Sequence, residues 1–327
     1  MITLELLREV VDHARRAASA HNTQPWRTRL DGNRLLVERE HTRALEVGDP
    51  TGRETFLSLG VFLEHLTLAS AAHGLRTDVD VTARPGSDEV ASIRLAAADS
   101  DPTAERLTAA MARRRTVRGA YAPDLPPDFL PAVYQTAEDY EAILSVLTET
   151  ERKREVAELV AEGTRIAFSL PPMLRELSQL VRWSTDAGAQ DGMWLESMWD
   201  DAASNEAEPG RYFLDRLSPA DDAARYLEWY AASPALFLIR TEFDGPEAWV
   251  MAGRLAGRLM LEAADRGMTQ CISAAPIEVP TLAPRLRAVS DGWARPQMLI
   301  RFGFPLLAPR YPPSPRLPAD ALIAATD

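Results

Sequence analysis

Between Ser19 and Gln24 the chain carries a serine hydroxyl, the Asn22 amide, the Thr23 hydroxyl and the Gln24 amide, followed by Pro25-Trp26. Groups of this kind hydrogen-bond the edge of a polar heterocycle or a polyol chain. They serve equally as a capping loop ahead of a buried tryptophan. A second stretch, Arg113-Arg114-Arg115-Thr116-Val117-Arg118, sets four guanidinium groups and a hydroxyl at the end of a helix. Guanidinium forks match phosphate oxygens, while a solvated basic helix end complementing the backbone dipole has the same composition. A third is the tail around Arg316, from Arg310 to Pro318. Its prolines pre-extend the backbone, which suits a fixed phosphate clamp or a linker. The fourth, Met268–Pro276, follows Gly267 and is rich in small residues, Ser273 and Ala274 among them. Small residues let a backbone N–H approach a flat ligand; a plain strand and loop reads the same way.

The elements that must position these groups are legible from periodicity. Ile2, Leu6, Leu7, Val10, Val11, Ala14 and Ala17 fall at helical spacing, predicting a helix from about 3 to 19 that delivers the Ser19 loop. Asp31-Gly32-Asn33 marks a hairpin turn. Phe56 to Leu68 reads as a strongly apolar helix stopped by Gly74. Short strands are expected near 78–82 and 91–97. Leu107, Ala110 and Met111 suggest the helix that ends at the arginine run, and Ala142–Leu147 a strand. The chain from 150 to about 182 reads as helical with a break at Pro171-Pro172. Residues 183–222, with Trp183, Trp194, Trp199 and Tyr212 among acids, glycine and proline, lack periodicity and are expected to form an irregular lid. Pro234–Arg240 and Gln297–Gly303 look like buried strands around the clearest helix, 246–266, which has Pro246 in its first turn and Gly267 after its last. The whole predicts an α+β fold, helices packed on mixed or antiparallel sheets.

Composition narrows the class. At 327 residues, 46% apolar, the chain can build two domains or one large two-lobed core. A net charge of −12 argues against nucleic acid or an anionic membrane as partner. Lys153 is the sole lysine, so an anion site must be made of arginine or backbone N–H. Cys271 is the single cysteine, which rules out an intramolecular disulfide and a cysteine metal cluster and fits a cytoplasmic protein. The histidines, 13, 21, 41, 65 and 73, show no metal-ligand spacing. No apolar run approaches a membrane span, and the N-terminus reads as an amphipathic helix rather than a signal peptide.

Taken together, Ala17–Trp26, Asp49–Leu68, Arg113–Tyr121 and Ser314–Pro318 resemble the FMN-dependent nitroreductase superfamily, and within it the actinobacterial Acg-like branch. The resemblance spans most of the chain, and the Asn-x-Gln-Pro-Trp run is its most specific piece. In ordinary members two identical subunits share each FMN site and the arginine motif precedes the asparagine motif. Here the order is reversed, which implies a fused pseudo-dimer with one complete site. A degenerate first half, 1–100, would supply the flavin-edge loop. The second half, 101–327, would supply the phosphate arginines, the lid and the tail.

Carried over by position, Arg114, Thr116 and Arg118 resemble the residues that bind FMN phosphate and the pyrimidine side of the ring. Ser19 and Asn22 resemble the partner-subunit contacts, with Gln24 beside them, and Arg316 resembles the tail phosphate ligand. Ser273 and Ala274 fall near the backbone N–H that faces flavin N5. Ala20 stands where the branch has proline, Ser58-Leu59-Gly60 where it has Ser-Cys-Gly, and Ser314 where ordinary members carry lysine. The resemblance implies hydride transfer from NAD(P)H through FMN to a nitro, quinone or specialised-metabolite acceptor, with no side-chain acid, base or nucleophile required. A monomer is expected, with further dimerisation left open. An FMN store with a closed lid, or a decayed site in an interaction protein, are the competing readings.

Overall fold

The computed structural model describes residues 3–203, 207–290 and 292–324. The first helix, α1 (Leu4–Ala14), starts where the Thr3 hydroxyl accepts from Leu6 N and ends at Ala14, five residues short of expectation; Ile2, counted in its pattern, lies outside the described residues. The predicted hairpin forms from β1 (Trp26–Asp31) and β2 (Arg34–Arg39), turning at Gly32 with φ 60°. Helix α2 (Arg53–Ala72) is capped by Asp49, whose carboxylate accepts from Glu54 N at 3.0 Å and Thr55 N at 2.8 Å. Strands β3 (Leu75–Val81) and β4 (Glu89–Ala97) complete an antiparallel sheet of order β1-β2-β4-β3.

Helix α3 (Pro102–Met111) follows, N-capped by Asp101, then α4 (Phe129–Ala137) and strand β5 (Ile143–Leu147). Beyond them come α5 (Thr150–Ala167) and α6 (Pro171–Ser178), with the break at the predicted proline pair. Where the helix was expected to run to about 182, α6 ends at Ser178 and β6 (Val181–Arg182) follows; it pairs in parallel with β7 (Met193–Trp194) of the segment expected to be irregular, which also holds helix α7 (Pro209–Arg216) and the start of α8 (Pro219–Ala231). Both helices have a proline in the first turn and a side-chain cap, Glu208 and Ser218, so that part of the expectation is corrected. Residues 204–206 of it lie outside the described residues. Strand β8 (Leu236–Thr241), helix α9 (Pro246–Asp265), strand β9 (Thr269–Ser273), short helices α10 (Ala275–Glu278) and α11 (Ala283–Val289), strand β10 (Arg295–Gly303) and α12 (Ala319–Leu322) finish the chain. The second sheet is antiparallel, of order β5-β8-β10-β9.

The core sits where α2 crosses α9. Here backbone meets backbone: a Cβ added at Gly60 would stand 2.1 Å from Val250 O, and one at Gly253 would stand 2.1 Å from Leu57 O. Helix α2 is long and apolar enough to cross a membrane by composition, and its apolar window is mostly buried inside the protein. Trp26 stacks on Phe62 of α2 at 4.6 Å between centroids, which fixes the exit of the Ser19 loop. The C-terminal segment crosses to the first sheet: Ala324 N donates to Thr28 O at 2.7 Å, and Thr28 Oγ1 to Leu322 O at 3.0 Å. This docking carries the proline-rich tail past the end of α1.

Candidate functional site

Past α1 the backbone enters the left-handed region three times within four residues, at His21 (φ 47°), Asn22 (φ 60°) and Gln24 (φ 54°). These are the only non-glycine residues to do so among the described residues. Each such residue costs on the order of 1–3 kcal/mol, so surrounding contacts must hold the loop. They do. Gln24 N donates to Ser19 Oγ at 3.0 Å and Ala20 N to Ser58 Oγ at 3.1 Å. The Gln24 side chain, fully buried, donates to Gln190 O at 2.8 Å and accepts from Leu317 N at 2.9 Å. Asn22 Nδ2 donates to Gly192 O and Pro315 O, both at 3.0 Å.

The arginine run is placed by strand pairing. Val117 N donates to Gln270 O at 2.9 Å and Gln270 N to Arg115 O at 3.1 Å, so residues 115–117 lie along the free edge of β9. This turns Arg114, 8% exposed, toward the end of α1, where its Nε and Nη2 donate to Arg16 O at 3.3 and 3.0 Å. Oriented to satisfy both neighbours, the Gln270 amide accepts from Arg114 Nη1 at 2.5 Å and donates to Arg115 O at 2.9 Å.

Arg316 arrives from the tail. Its Nη2 donates to the same Arg16 carbonyl at 3.3 Å and to Ala17 O at 3.2 Å, and its Nη1 to Asn22 Oδ1 at 2.6 Å. Its Nε is buried without a partner. Arg16, Arg114, Arg115, Thr116, Ser314 and Arg316 line one narrow crevice of about 50 Å³, to which no carboxylate contributes. Burial pushes the Arg114 guanidinium down to about 10. Burial, then Arg114, Arg15 and Arg16, hold Arg316 well below its ordinary value. The fully buried His65 ring is depressed first by burial and then by these same two arginines.

Arg118 points elsewhere, its Nη1 donating to Ser197 Oγ at 3.2 Å and its Nη2 facing Met193 Sδ at 3.6 Å. Residues 190–197 therefore touch the loop at Asn22 and Gln24 and the arginine run at Arg118. Trp194 Nε1 also bonds the tail carbonyls of Pro312 and Pro313 at 3.1 and 3.2 Å. Asp191 ties this segment down by ion pairs to Arg43 at 3.2 Å and Arg182 at 2.9 Å, and Arg43 donates in turn to Thr23 O.

Asn22, Gln24, Arg114, Thr116 and Arg316 thus converge, with Ser19 buttressing the loop from inside. Ser273 ends β9 opposite Leu299 and Ala274 caps α10; no described hydrogen bond joins either to the loop or to the arginines. Sequence reasoning passed over Gln270 and Ser58. Gln270 is a fully buried amide on a strand that also carries Thr269 and Ser273, so its residue type alone did not single it out. No group of three or more metal-ligating side chains occurs among the described residues.

Comparison with known proteins places the chain. A Mycobacterium tuberculosis (H37Rv) protein named "Putative NAD(P)H nitroreductase Rv3131" is 31% identical over 323 residues, covering 95% of this chain and 89% of that one. The chain belongs to the NAD(P)H nitroreductase family. Within the family it is also similar to "Putative NAD(P)H nitroreductase acg" of the same organism, 26% identical over 329 residues, with 98% and 96% of the two chains covered. Among solved structures, the FMN and NADPH-dependent nitroreductase NfnB from Sphigopyxis aligns over 68% of this chain and 99% of its own, at 17% identity and a TM-score of 0.45. No family model matches.

Proposed function

We propose that the chain holds one FMN at the meeting of the Asn22 loop, the arginine run and the tail, and works as an NAD(P)H-dependent oxidoreductase on a nitro, quinone or specialised-metabolite acceptor. The observation that carries this is the pair Arg114 and Arg316. They converge on one carbonyl, Arg16 O, and have no carboxylate partner among the described residues. Arginine keeps its proton in a protein, and an uncompensated buried charge costs several kcal/mol. A phosphate dianion against these two groups removes that cost, and Arg316 Nε is a free donor for it. Arg16, Arg115 and Thr116 stand around the same crevice.

From the phosphate the cofactor would run past Asn22, which already bonds Arg316, toward His21 and Arg118. Asn22 and His21 sit on a strained, fully braced loop, and Arg118 supplies a cation beside them. FMN bound there would carry the hydride chemistry; the protein supplies binding, orientation and electrostatics. The division into halves 1–100 and 101–327 belongs to the same proposal. Its support is the reciprocal Gly60–Gly253 crossing of α2 and α9 and one four-stranded antiparallel sheet on either side. A chain containing both halves of a shared site needs no second copy, so a monomer is the expected state.

One observation favours a second reading, FMN storage with little turnover: residues 190–197 already bond Asn22, Gln24 and Arg118. The absorption spectrum of the purified protein under anaerobic NADPH separates the two. Flavin bands that bleach and return with menadione support the oxidoreductase. Flavin bands that stay unbleached support storage, and failure to take up added FMN removes both.

A further inference from the structure

Arg301 lies in the middle of β10, fully out of solvent. Alternation along the strand puts it on the face of Leu299, which packs with Val156 and Tyr230 of α5 and α8, away from α9 and the arginine crevice. Its guanidinium stands 4.2 Å from the centroid of the Tyr121 ring, 5.1 Å from that of Tyr230 and 6.0 Å from that of Trp229. Gly303, two residues along, admits the Tyr121 ring: a Cβ there would lie 2.8 Å from it. Cys271 faces Arg301 directly across the β9–β10 register.

Beyond the Cys271 sulfur, no negatively charged or sulfur-bearing side chain balances this cation among the described residues. Arg301 Nη1 makes one long hydrogen bond, to Trp229 O at 3.5 Å, and Nε and Nη2 have no partner. The Tyr230 hydroxyl, buried beside it, is also unpartnered. No carboxylate forms an ion pair with Arg301 among the described residues. Ring faces return less than the desolvation of a buried guanidinium costs; with the Tyr121 hydroxyl donated to Val117 O and Cys271 Sγ facing Ile272 O, the donors left over are Arg301 Nε and Nη2 and the Tyr230 hydroxyl.

We propose that the cage of Arg301, Tyr230, Tyr121 and Cys271 binds a small inorganic anion of chloride's size, held by Arg301 Nε and Nη2 and the Tyr230 hydroxyl. Complete burial restricts the occupant to a single ion. A carboxylate-bearing metabolite would have to part β10 from α8 to enter. The site lies on the opposite face of the sheet from Gln270 and Arg114 but adjoins Arg118, since Tyr226 and Cys271 stand near both cations; its role is structural: it neutralises a charge that otherwise opposes packing of α8 on the sheet.

The test is crystallisation of the full chain from sodium bromide and collection above the bromine edge. The expected result is an anomalous peak within hydrogen-bond reach of Arg301 Nε or Nη2. In solution, the thermal midpoint should fall when chloride is replaced by gluconate at constant ionic strength. Arg301→Met should abolish that dependence, and Tyr230→Phe, which keeps the ring and the fold, should reduce it. A cage without anomalous density, or a native midpoint indifferent to halide, would overturn the proposal.

Discussion

Arg316 donates to the side-chain oxygen of Asn22 at 2.6 Å, joining positions 294 residues apart. The bond exists because two separate folding events agree. Trp26 and Ser58 anchor the loop on α2, and the C-terminal segment pairs with β1 and draws the tail back past α1. Neither event involves a ligand, so the convergence is built into the fold.

The crossing of α2 and α9 should tolerate no side chain. Gly60→Ala would drive a Cβ to 2.1 Å from Val250 O, and backbone cannot rotate away as a side chain can. The expected loss is at the upper end of overpacking effects, roughly 3 kcal/mol. Urea unfolding of the variant measures it, and a loss below about 0.5 kcal/mol would mean that the helices are not in backbone contact.

Asp191 should act as a latch on the segment over the loop. Its two ion pairs, to Arg43 and Arg182, are partly exposed, and such pairs are worth up to about 1 kcal/mol. Asp191→Ala is therefore expected to speed reduction of bound flavin by dithionite roughly two- to five-fold. Stopped-flow bleaching at the flavin band reads this out; an unchanged rate would show that residues 190–197 do not limit access.

Acid should weaken the fold through His21. Burial, and then the nearby Arg118, push its ring from an ordinary value of 6.5 to about 4. Between those values the unfolded chain binds a proton that the folded chain refuses. The contribution of this group is therefore full above about pH 6.5 and is lost as pH falls toward 4. Buried carboxyls at Asp49 and Glu54 are raised and act in the opposite sense, so the variant difference is the useful quantity. His21→Gln should flatten the stability profile between pH 6.5 and 4 relative to the native chain. Parallel profiles would mean that His21 is accessible to protons in the folded state.

The fold was readable where one force dominated. Helices α2 and α9 declare themselves by long apolar patterns with glycine or proline at their ends, and β8 and β10 by apolar runs too short for helices. Helices α7 and α8 were missed although Pro209 after Glu208 and Pro219 after Ser218 were valid start signals. Helix α1 stops at Ala14 although the apolar spacing continues to Ala17. At the site, Asn22, Arg114 and Arg316 could be named from residue type and resemblance. Their shared acceptor could not: Arg16 contributes a main-chain carbonyl, which every residue has and only tertiary placement can select. Ser273 and Ala274 were named from small size and position in the resemblance, and no described hydrogen bond ties them to the loop or the arginines.

Equilibrium titration of FMN onto the flavin-free chain tests the central claim most directly. One FMN per chain is predicted. Arg114→Ala and Arg316→Ala should each weaken binding by about 1.5–3 kcal/mol, the scale of hydrogen bonds to a charged group, and Asn22→Ala should cost less. Native affinity in both arginine variants, with their folds intact, would contradict it.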